Sequence, residues 1–378
     1  MKKIIKTGAA ARVTMSLATM SLAAMSLAAV ILTTGCSMRI GENVIDTGEG
    51  NVYTDEISID DMSLEEKVGQ MFMVRCDAAK MDEIMEKQPG GIVMFGADFE
   101  GLSEKEVKDK INGYKAKSRL PLAIAVDEEG GTVVRVSSNP ALSDEKFRSP
   151  QEYYNEGGME LVLEKEEKKC KMLKSLGINM NLAPVADVSV NEEDFIYDRS
   201  LGQNAEETSQ YVAAVVEEMD DNDIASCLKH FPGYGSNTDT HTGIAVDERG
   251  MRSFEQADFI PFMKGIEAGA DAVMVSHNIV KCMDEENPAS ISPAIHDILR
   301  NKLDFYGIVM TDDMSMQAAA GYDEPYIRAV NAGNDMMIVT DFNDAYNEVL
   351  DGVKEGKIPE ETINKAVERI LDWKEDRL

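Results

Sequence analysis

Basic residues are scarce in this sequence. Its 378 residues include 38 lysines and arginines against 69 aspartates and glutamates, so the formal net charge is -31. A chain this acidic repels nucleic acid phosphates and anionic membrane surfaces, and we therefore expect no nucleic acid partner. The hydrophobic content of 43% is ordinary for a globular protein, which predicts a sizeable core.

Cysteine is scarce as well, with five residues in the chain. The four that follow position 36 match neither the spacing of a zinc motif nor a dense disulfide framework. Cys227 lies inside an apolar run, where a small buried hydrophobic side chain is the simplest interpretation. The sequence therefore predicts neither a structural metal nor a disulfide scaffold.

The first 36 residues contain no acidic residue and only four basic ones, all before position 13. An apolar stretch from Met15 to Leu32 follows and ends in LTTGCS, which together are typical of a signal peptide. Cys36 stands where a bacterial lipoprotein signal places its acylated cysteine. We predict a lipoprotein-type signal peptide over 1–36 and a lipid anchor at the extracellular face of the cell membrane, its only membrane contact, with plain secretion as the alternative.

Two further regions follow the signal peptide. Residues 37–60 are polar and acidic, without a sustained apolar period, which predicts a tether. Ser63 and Glu66 form a capping-box pattern at the start of a helix. A single catalytic domain is expected over 61–378.

Within this domain, continuously apolar runs alternate with amphipathic stretches, as expected of buried parallel strands separated by helices. Eight such units favour an α/β fold of the (β/α)8 TIM-barrel type, with a doubly wound open sheet as the alternative. A final helix is predicted after Pro359. The apolar runs are 71–75, 90–95, 122–127, 178–184, 224–231, 272–277, 307–312 and 335–340.

Polar residues collect at the carboxyl ends of these runs, the face where a barrel places its active site. Three of the four histidines lie on or beside this face: His230, His277 and His241. We expect this concentration to mark a functional site.

The richest segment is KHFPGYGSNTDTHTG, residues 229–243. Asp239 and His241 are two positions apart, so the carboxylate would orient the imidazole as a proton donor. Three alternatives remain at this point: a metal site formed with His230, a phosphate-binding loop, or a structural turn.

Carboxylates follow two other runs. The segment VMTDDMSM places Asp312 and Asp313 at a strand end, where one carboxylate could attack an anomeric carbon and the other could cap the next helix. Asp127, in IAVDEEGG, could accept hydrogen bonds from sugar hydroxyls. Arg199, in IYDRSLG, is a weak signal by itself, because a surface ion pair would explain it equally well.

Taken together and in this order, DEEGGTVVR, GINMNLAPVADV, DRSLG, KHFPGYGSNTDTH and GIVMTDDMSM resemble glycoside hydrolase family 3. The similarity extends from about Ser63 to the C-terminus and is to the single-domain β-N-acetylglucosaminidase (β-hexosaminidase) branch. It differs from that branch at Tyr234, where a histidine is usual, at Thr240, where serine is common, and at Leu201, where phenylalanine is common.

The resemblance implies a retaining double displacement without a metal or organic cofactor. Asp312 would be the nucleophile, and His241 would be the acid/base, paired with Asp239. The terminal N-acetylglucosamine would be held by four further residues: Asp127, Arg199, Lys229 and His230.

The expected function is therefore hydrolysis of terminal β-linked N-acetylglucosamine from amino-sugar glycans such as peptidoglycan fragments. The alternatives are a phosphorylase, which would use phosphate instead of water, another exo-β-glycosidase on the same fold, and a non-catalytic sugar-binding lipoprotein. The sequence carries no readable signature of an oligomeric state.

Overall fold

The structure is a computed structural model that describes residues 58–236, 243, 245–316 and 321–378. Its central feature is one sheet of eight parallel strands, β1 to β8, each matching one predicted apolar run. Seven of them are wholly buried, and in β1 only Arg75 is exposed, which is why their sequences do not alternate. The strands are β1 Phe72–Arg75, β2 Gly91–Met94, β3 Ala123–Val126, β4 Met180–Asn181, β5 Ala225–Phe231, β6 Ala272–Val275, β7 Ile308–Thr311 and β8 Met337–Val339.

The sheet closes on itself. Each strand pairs in parallel with the next along the chain from β1 to β7, and β8 pairs with β1. A parallel bridge between Met310 and Met336 joins the last two strands. The predicted (β/α)8 barrel is therefore confirmed, and the open sheet is excluded.

Helices cover the outside of the barrel. Ser63 and Glu66 form the predicted capping box, in which the Glu66 amide donates to Ser63 Oγ over 3.2 Å. A non-helical residue, Gly158, interrupts the longest helix. The helices are α1 Leu64–Gln70, α2 Met81–Glu86, α3 Glu104–Lys115, α4 Pro150–Ser175, α5 Ala205–Asp221, α6 Phe259–Glu267, α7 Pro293–Asp297, α8 Pro325–Ala332, α9 Phe342–Lys354 and α10 Glu360–Arg377.

Shorter elements complete the fold. A helical turn, Met251–Ser253, and a π-helical turn, Phe254–Asp258, lead into α6, while α7 continues into a second π-helical turn, Ile298–Lys302. Two-residue strands Val246–Asp247 and Ile279–Val280 pair outside the barrel. Further helical turns are Ile59–Asp61, Gly96–Asp98, Tyr197–Arg199 and Ala289–Ile291.

Helix α10, predicted from the sequence, seals the amino-terminal end of the barrel. Its Lys374 is buried and donates to Gln70 Oε1 over 2.7 Å, just ahead of β1. Arg369 donates to Asp335 over 2.8 Å, just ahead of β8. The opposite, carboxyl end of the strands is left to the loops that carry the candidate site. Among the described residues, none of the helices is both long and apolar enough to span a membrane.

Candidate active site

Three loops and the end of one strand bring the polar residues of the site to the carboxyl end of the barrel. Asp127 directly follows β3, and Arg199 lies on the helical turn in the loop after β4. Lys229 and His230 belong to the last residues of β5, and Asp312 directly follows β7. Because parallel strands all point the same way, these side chains share one face of the barrel, where such folds place their active sites.

A chain of ion pairs joins the loops after β3 and β4 to the end of β5. Lys229 Nζ lies 2.6 Å from Asp127 Oδ1 and 2.6 Å from Glu129 Oε1. The Arg199 guanidinium binds the same Glu129 carboxylate with both sides of its fork, over 3.0 Å from Nε and 2.7 Å from Nη2. Glu129 therefore holds the two cations of the site in fixed positions.

Glu129 and Lys229 remain charged despite their burial. Burial alone would raise the pKa of Glu129, but Arg199 and Lys229 together lower that pKa well below the ordinary range. Burial alone would lower the pKa of Lys229, but Asp127 and Glu129 outweigh it and raise that pKa. The site is thus lined by fixed charges that match the donors and acceptors of a polar ligand.

His230 lies between the arginine and a further carboxylate. Its Nε2 is 3.1 Å from Arg199 Nη2, and its Nδ1 is 2.7 Å from Asp187 Oδ2. Asp187 was not among the site residues predicted from the sequence. It joins the group because Val185, two residues earlier, forms a parallel bridge with Lys229.

Arg135 and Glu128 were also missed. Arg135 Nη2 lies 3.9 Å from Asp127 Oδ2, and its buried Nε has no hydrogen-bond partner among the described residues. Glu128 is fully buried and accepts the backbone N–H groups of Arg135 and Val136, each over 2.7 Å. It thereby folds the loop after β3 so that Arg135 returns to Asp127.

Asp312 is a half-buried carboxylate that carries a charge. Its Oδ1 accepts the backbone N–H of Asp313 over 2.8 Å. Burial would raise the pKa of Asp312, but its polar surroundings, including this amide and Lys229, lower it below its usual value. An ionised, partly accessible carboxylate at the barrel mouth is suited to nucleophilic attack.

The neighbour Asp313 has a different role. Its Oδ1 accepts the Ser315 backbone N–H over 2.9 Å, and its carbonyl lies 3.0 Å from His277 Nε2. These contacts match the turn-capping role considered for one of the two aspartates. They also keep His277 on the site face, beside the end of β7.

The far end of the loop after β5 is anchored by one arginine. Arg249 binds Asp247 through Nε and Nη2, over 2.9 and 2.8 Å, and Asp258 through Nη1 over 2.8 Å. Gly233 has a φ of 120°, and a Cβ there would lie 2.4 Å from Asp258 Oδ1. Only glycine therefore lets the loop approach this cluster so closely.

Tyr234, the residue that differs from the related branch, is part of the core. Its side chain is buried in a small apolar cluster with Val185 and Ile196. The ring meets His230 edge-on, with centroids 5.1 Å apart, and also contacts the partly exposed Phe195. Tyr234 thus packs the base of the loop.

The predicted dyad, Asp239 and His241, lies outside the described residues. The structure describes the loop up to residue 236 and again from 245, with residue 243 between. Among the described residues, no group of three or more histidine, cysteine, aspartate or glutamate side chains is arranged to hold a metal. Cys36 also falls outside the described part of the chain.

The comparisons with known proteins identify the family. Residues 63–373 match the glycosyl hydrolase family 3 N terminal domain. This chain belongs to glycoside hydrolase family 3. It is a glycoside hydrolase, and the resemblance of its motifs to this family is confirmed.

Curated relatives cover most of the domain. A β-hexosaminidase of Stenotrophomonas maltophilia strain K279a is 33% identical over 273 residues, which are 69% of this chain and 79% of that protein. A β-hexosaminidase of Nitrosomonas eutropha is 30% identical over 273 residues, 69% of this chain and 76% of that protein.

Solved structures agree on the architecture. A glycoside hydrolase family 3 β-N-acetylglucosaminidase from Paenibacillus sp. FPU-7 superposes with a TM-score of 0.77 at 29% identity. The match covers 84% of this chain but 63% of that longer one. A β-N-acetylhexosaminidase from Beutenbergia cavernae gives a TM-score of 0.74 at 27% identity, covering 83% of this chain and 99% of that one.

Proposed function

We propose that this chain is a retaining β-N-acetylhexosaminidase that releases terminal β-linked N-acetylglucosamine. The observation that carries the proposal is the chain of buried ion pairs from Asp127 through Lys229 and Glu129 to Arg199, on the same barrel face as the ionised Asp312. Fixed donors and acceptors of this kind can form hydrogen bonds with the several hydroxyl groups of a sugar ring. The names of the relatives give the same substrate class.

The first half of the reaction forms a covalent intermediate. One oxygen of the Asp312 carboxylate attacks the anomeric carbon, and the bond from that carbon to the leaving oxygen breaks. His241 gives its proton to the leaving oxygen, and Asp239 stabilises the resulting charge distribution and orients the ring. The roles of Asp239 and His241 rest on the resemblance of the loop sequence to the family.

The second half restores the enzyme. Water attacks the anomeric carbon of the glycosyl ester, His241 takes the proton from that water, and Asp312 leaves as a carboxylate. Two inversions at the anomeric carbon give net retention of its configuration. A neutral histidine beside Asp312 avoids the like-charge repulsion that a second carboxylate would bring.

The terminal sugar is held by the rest of the site. Asp127 accepts a hydrogen bond from one sugar hydroxyl, and Lys229 donates a hydrogen bond to a neighbouring hydroxyl. His230 and Arg199 line the site beside these two residues. Arg135 adds a donor, because its guanidinium already lies beside Asp127 and its buried Nε has no partner among the described residues. Such groups select against analogues that lack the matching hydroxyl.

The N-terminal sequence supports a proposal for the location and the natural substrate. A lipid on Cys36 would hold the enzyme at the extracellular face of the cell membrane, with the tether of residues 37–60 giving it reach. Amino-sugar chains outside the cell, such as peptidoglycan fragments, are the substrates we propose.

The test is hydrolysis of a chromogenic β-N-acetylglucosaminide by the wild type and D312N. We expect at least about a 1,000-fold loss of kcat in D312N, because the carboxylate is the nucleophile. The matched control is D313N, the adjacent carboxylate, which should keep most of the activity. Equal activity of D312N and wild type would overturn the nucleophile assignment.

The same assay separates water from phosphate as acceptor. Products are compared with and without inorganic phosphate, and N-acetylglucosamine alone is expected in both cases. Formation of a sugar 1-phosphate would instead identify a phosphorylase. Sugar binding without turnover would identify a receptor.

A further inference from the structure

Asp187 is a buried carboxylate that the reaction scheme above does not use. It is 1% exposed and lies six residues after the end of β4. Its Oδ2 accepts the backbone N–H of His230 over 3.1 Å and lies 2.7 Å from Nδ1 of the same residue. Its Oδ1 accepts the backbone N–H of Tyr234 over 2.7 Å. One side chain therefore contacts both ends of the turn that starts the loop after β5.

These contacts fix the protonation pattern of His230. A guanidinium only donates hydrogen bonds, so Nε2 of His230, 3.1 Å from Arg199 Nη2, must be the acceptor. The ring proton then resides on Nδ1, which donates to the Asp187 carboxylate. A proton on Nε2 would place two donors face to face.

The link continues into the ion-pair network. The same Arg199 nitrogen also donates to Glu129 Oε1 over 2.7 Å. Asp187, His230, Arg199 and Glu129 thus form a continuous series of charge-assisted hydrogen bonds, and each partner limits the orientation of the next.

We propose that Asp187 is a positioning residue for glycoside hydrolysis, acting on two parts of the site through one carboxylate. It holds His230 in the Nδ1–H tautomer, so that Nε2 accepts from Arg199 and fixes this guanidinium at the site. It also ties down Tyr234, and with it the start of the loop that leads to His241. The inference rests on the proposed function, since the importance of both parts depends on sugar binding and proton delivery.

The isosteric variant D187N must break one of these two connections. If the amide oxygen faces His230, the amide NH2 meets the Tyr234 backbone N–H, and two donors oppose each other. If the amide oxygen faces Tyr234, the NH2 meets Nδ1 of His230, and the ring proton must move to Nε2 against Arg199. The size and shape of the side chain are kept in both cases, so the effect comes from the lost charge and the changed hydrogen-bond pattern.

The first measurement is the 15N spectrum of ring-labelled histidine in the free enzyme. Wild type should show His230 with a protonated Nδ1 and an unprotonated Nε2, the resonance being assigned by its absence in H230Q. A protonated Nε2 in wild-type His230 would overturn the proposal. This readout needs no substrate, so it stands or fails independently of the proposed activity.

The second measurement is kinetic. In D187N, kcat/KM on a chromogenic β-N-acetylglucosaminide should fall about 10- to 100-fold, as expected when one or two charge-assisted hydrogen bonds are lost. The matched control is D194N in the same loop, since the Asp194 side chain accepts hydrogen bonds from Ser189 and Asn191 and, in the described part of the chain, forms none with Asp187 or His230. A similar loss in D194N, or none in D187N, would contradict a positioning role.

The two results together distinguish the possible failures. If neither wild type nor variant hydrolyses the substrate while wild-type His230 shows the expected tautomer, the proposed function fails and the positioning geometry remains. If wild type is active and D187N matches it in rate with an unchanged His230 spectrum, Asp187 has no positioning role. D187N should retain a cooperative thermal transition, and D187E, which keeps the charge, should recover part of the rate.

Discussion

Glu129 is the residue whose neutralisation should have the broadest effect. The variant E129Q keeps the size of the side chain but removes the charge that binds both Lys229 and Arg199. The NH2 group of the new glutamine would also point a hydrogen-bond donor at Lys229 or Arg199, which are themselves donors. Lys229 is almost completely buried and Arg199 is mostly buried, so water replaces the lost carboxylate poorly.

The magnitude follows from this burial. Removing one partner of a buried ion pair costs about 3 to 5 kcal/mol, because the remaining charge stays buried without compensation. A domain of roughly 310 residues, as matched by the family comparison, unfolds with an entropy near 0.65 kcal/mol/K, so Tm should fall by about 5 to 8 °C.

The stability difference also depends on pH. The folded-state pKa of Glu129 lies below its ordinary value, so its carboxylate stabilises the fold at any pH above the ordinary glutamate range. That contribution is lost as the pH falls below this range, toward the lowered folded-state pKa. The gap in Tm between wild type and E129Q should therefore be full at pH 7 and narrow in acid.

Two assays check this reasoning. Differential scanning calorimetry at pH 7 and in acid gives the Tm values, and KM for a chromogenic substrate should rise about tenfold as Lys229 is drawn towards Asp127. The control is E192Q, which replaces an exposed glutamate in the loop after β4 and should change neither Tm nor KM. If E129Q unfolds at the wild-type temperature and binds substrate equally well, Glu129 does not organise the site.

Three more outcomes are expected. H241A should lose far more activity on natural disaccharides than on aryl glycosides with good leaving groups, which need no proton donor; equal losses would contradict the acid/base role. K374M should be more stable than wild type by up to about 5 kcal/mol at pH 6, because burial lowers the pKa of Lys374 from 10.5 to about 7. The gain in stability should shrink as the pH rises from 7 to 10.5, where the folded wild type holds Lys374 uncharged. A gain that stays constant with pH would refute the cost assigned to the buried charge. C36A should move the protein from the membrane fraction to the medium or another soluble fraction, whereas an unchanged membrane fraction would exclude the lipid anchor.

The barrel could be predicted because its signal is local. Each strand is a short run of apolar residues, and burial on both faces removes any alternation, so the run itself marks the strand. The carboxyl ends of these runs then indicated Asp127, Lys229 and Asp312 without knowledge of any contact. The ends of the helices were harder to predict, since the π-helical turns before α6 and after α7 leave no comparable pattern in the sequence.

The partners of these residues could not be predicted in the same way. Glu129 meets Arg199 across 70 positions of sequence, and Asp187 meets His230 across 43. A carboxylate that follows a strand can serve a ligand, a helix cap or a neighbouring loop, and only the folded chain decides among them. The sequence did offer one usable signal, since Glu128 and Glu129 directly follow Asp127 at a strand end.

Tyr234 shows why a substitution in a catalytic loop need not alter its chemistry. A tyrosine cannot take over the charge of a histidine at neutral pH, so the sequence suggested a change in how the loop works. In the fold, the ring fills an apolar cluster with Val185 and Ile196, while its backbone N–H is held by Asp187. The base of the loop is thus fixed by packing and by one buried carboxylate, neither of which requires a charged side chain at position 234. In the proposed mechanism, proton delivery by His241 depends on residues beyond this base, so changes at Tyr234 should act mainly through stability and loop position.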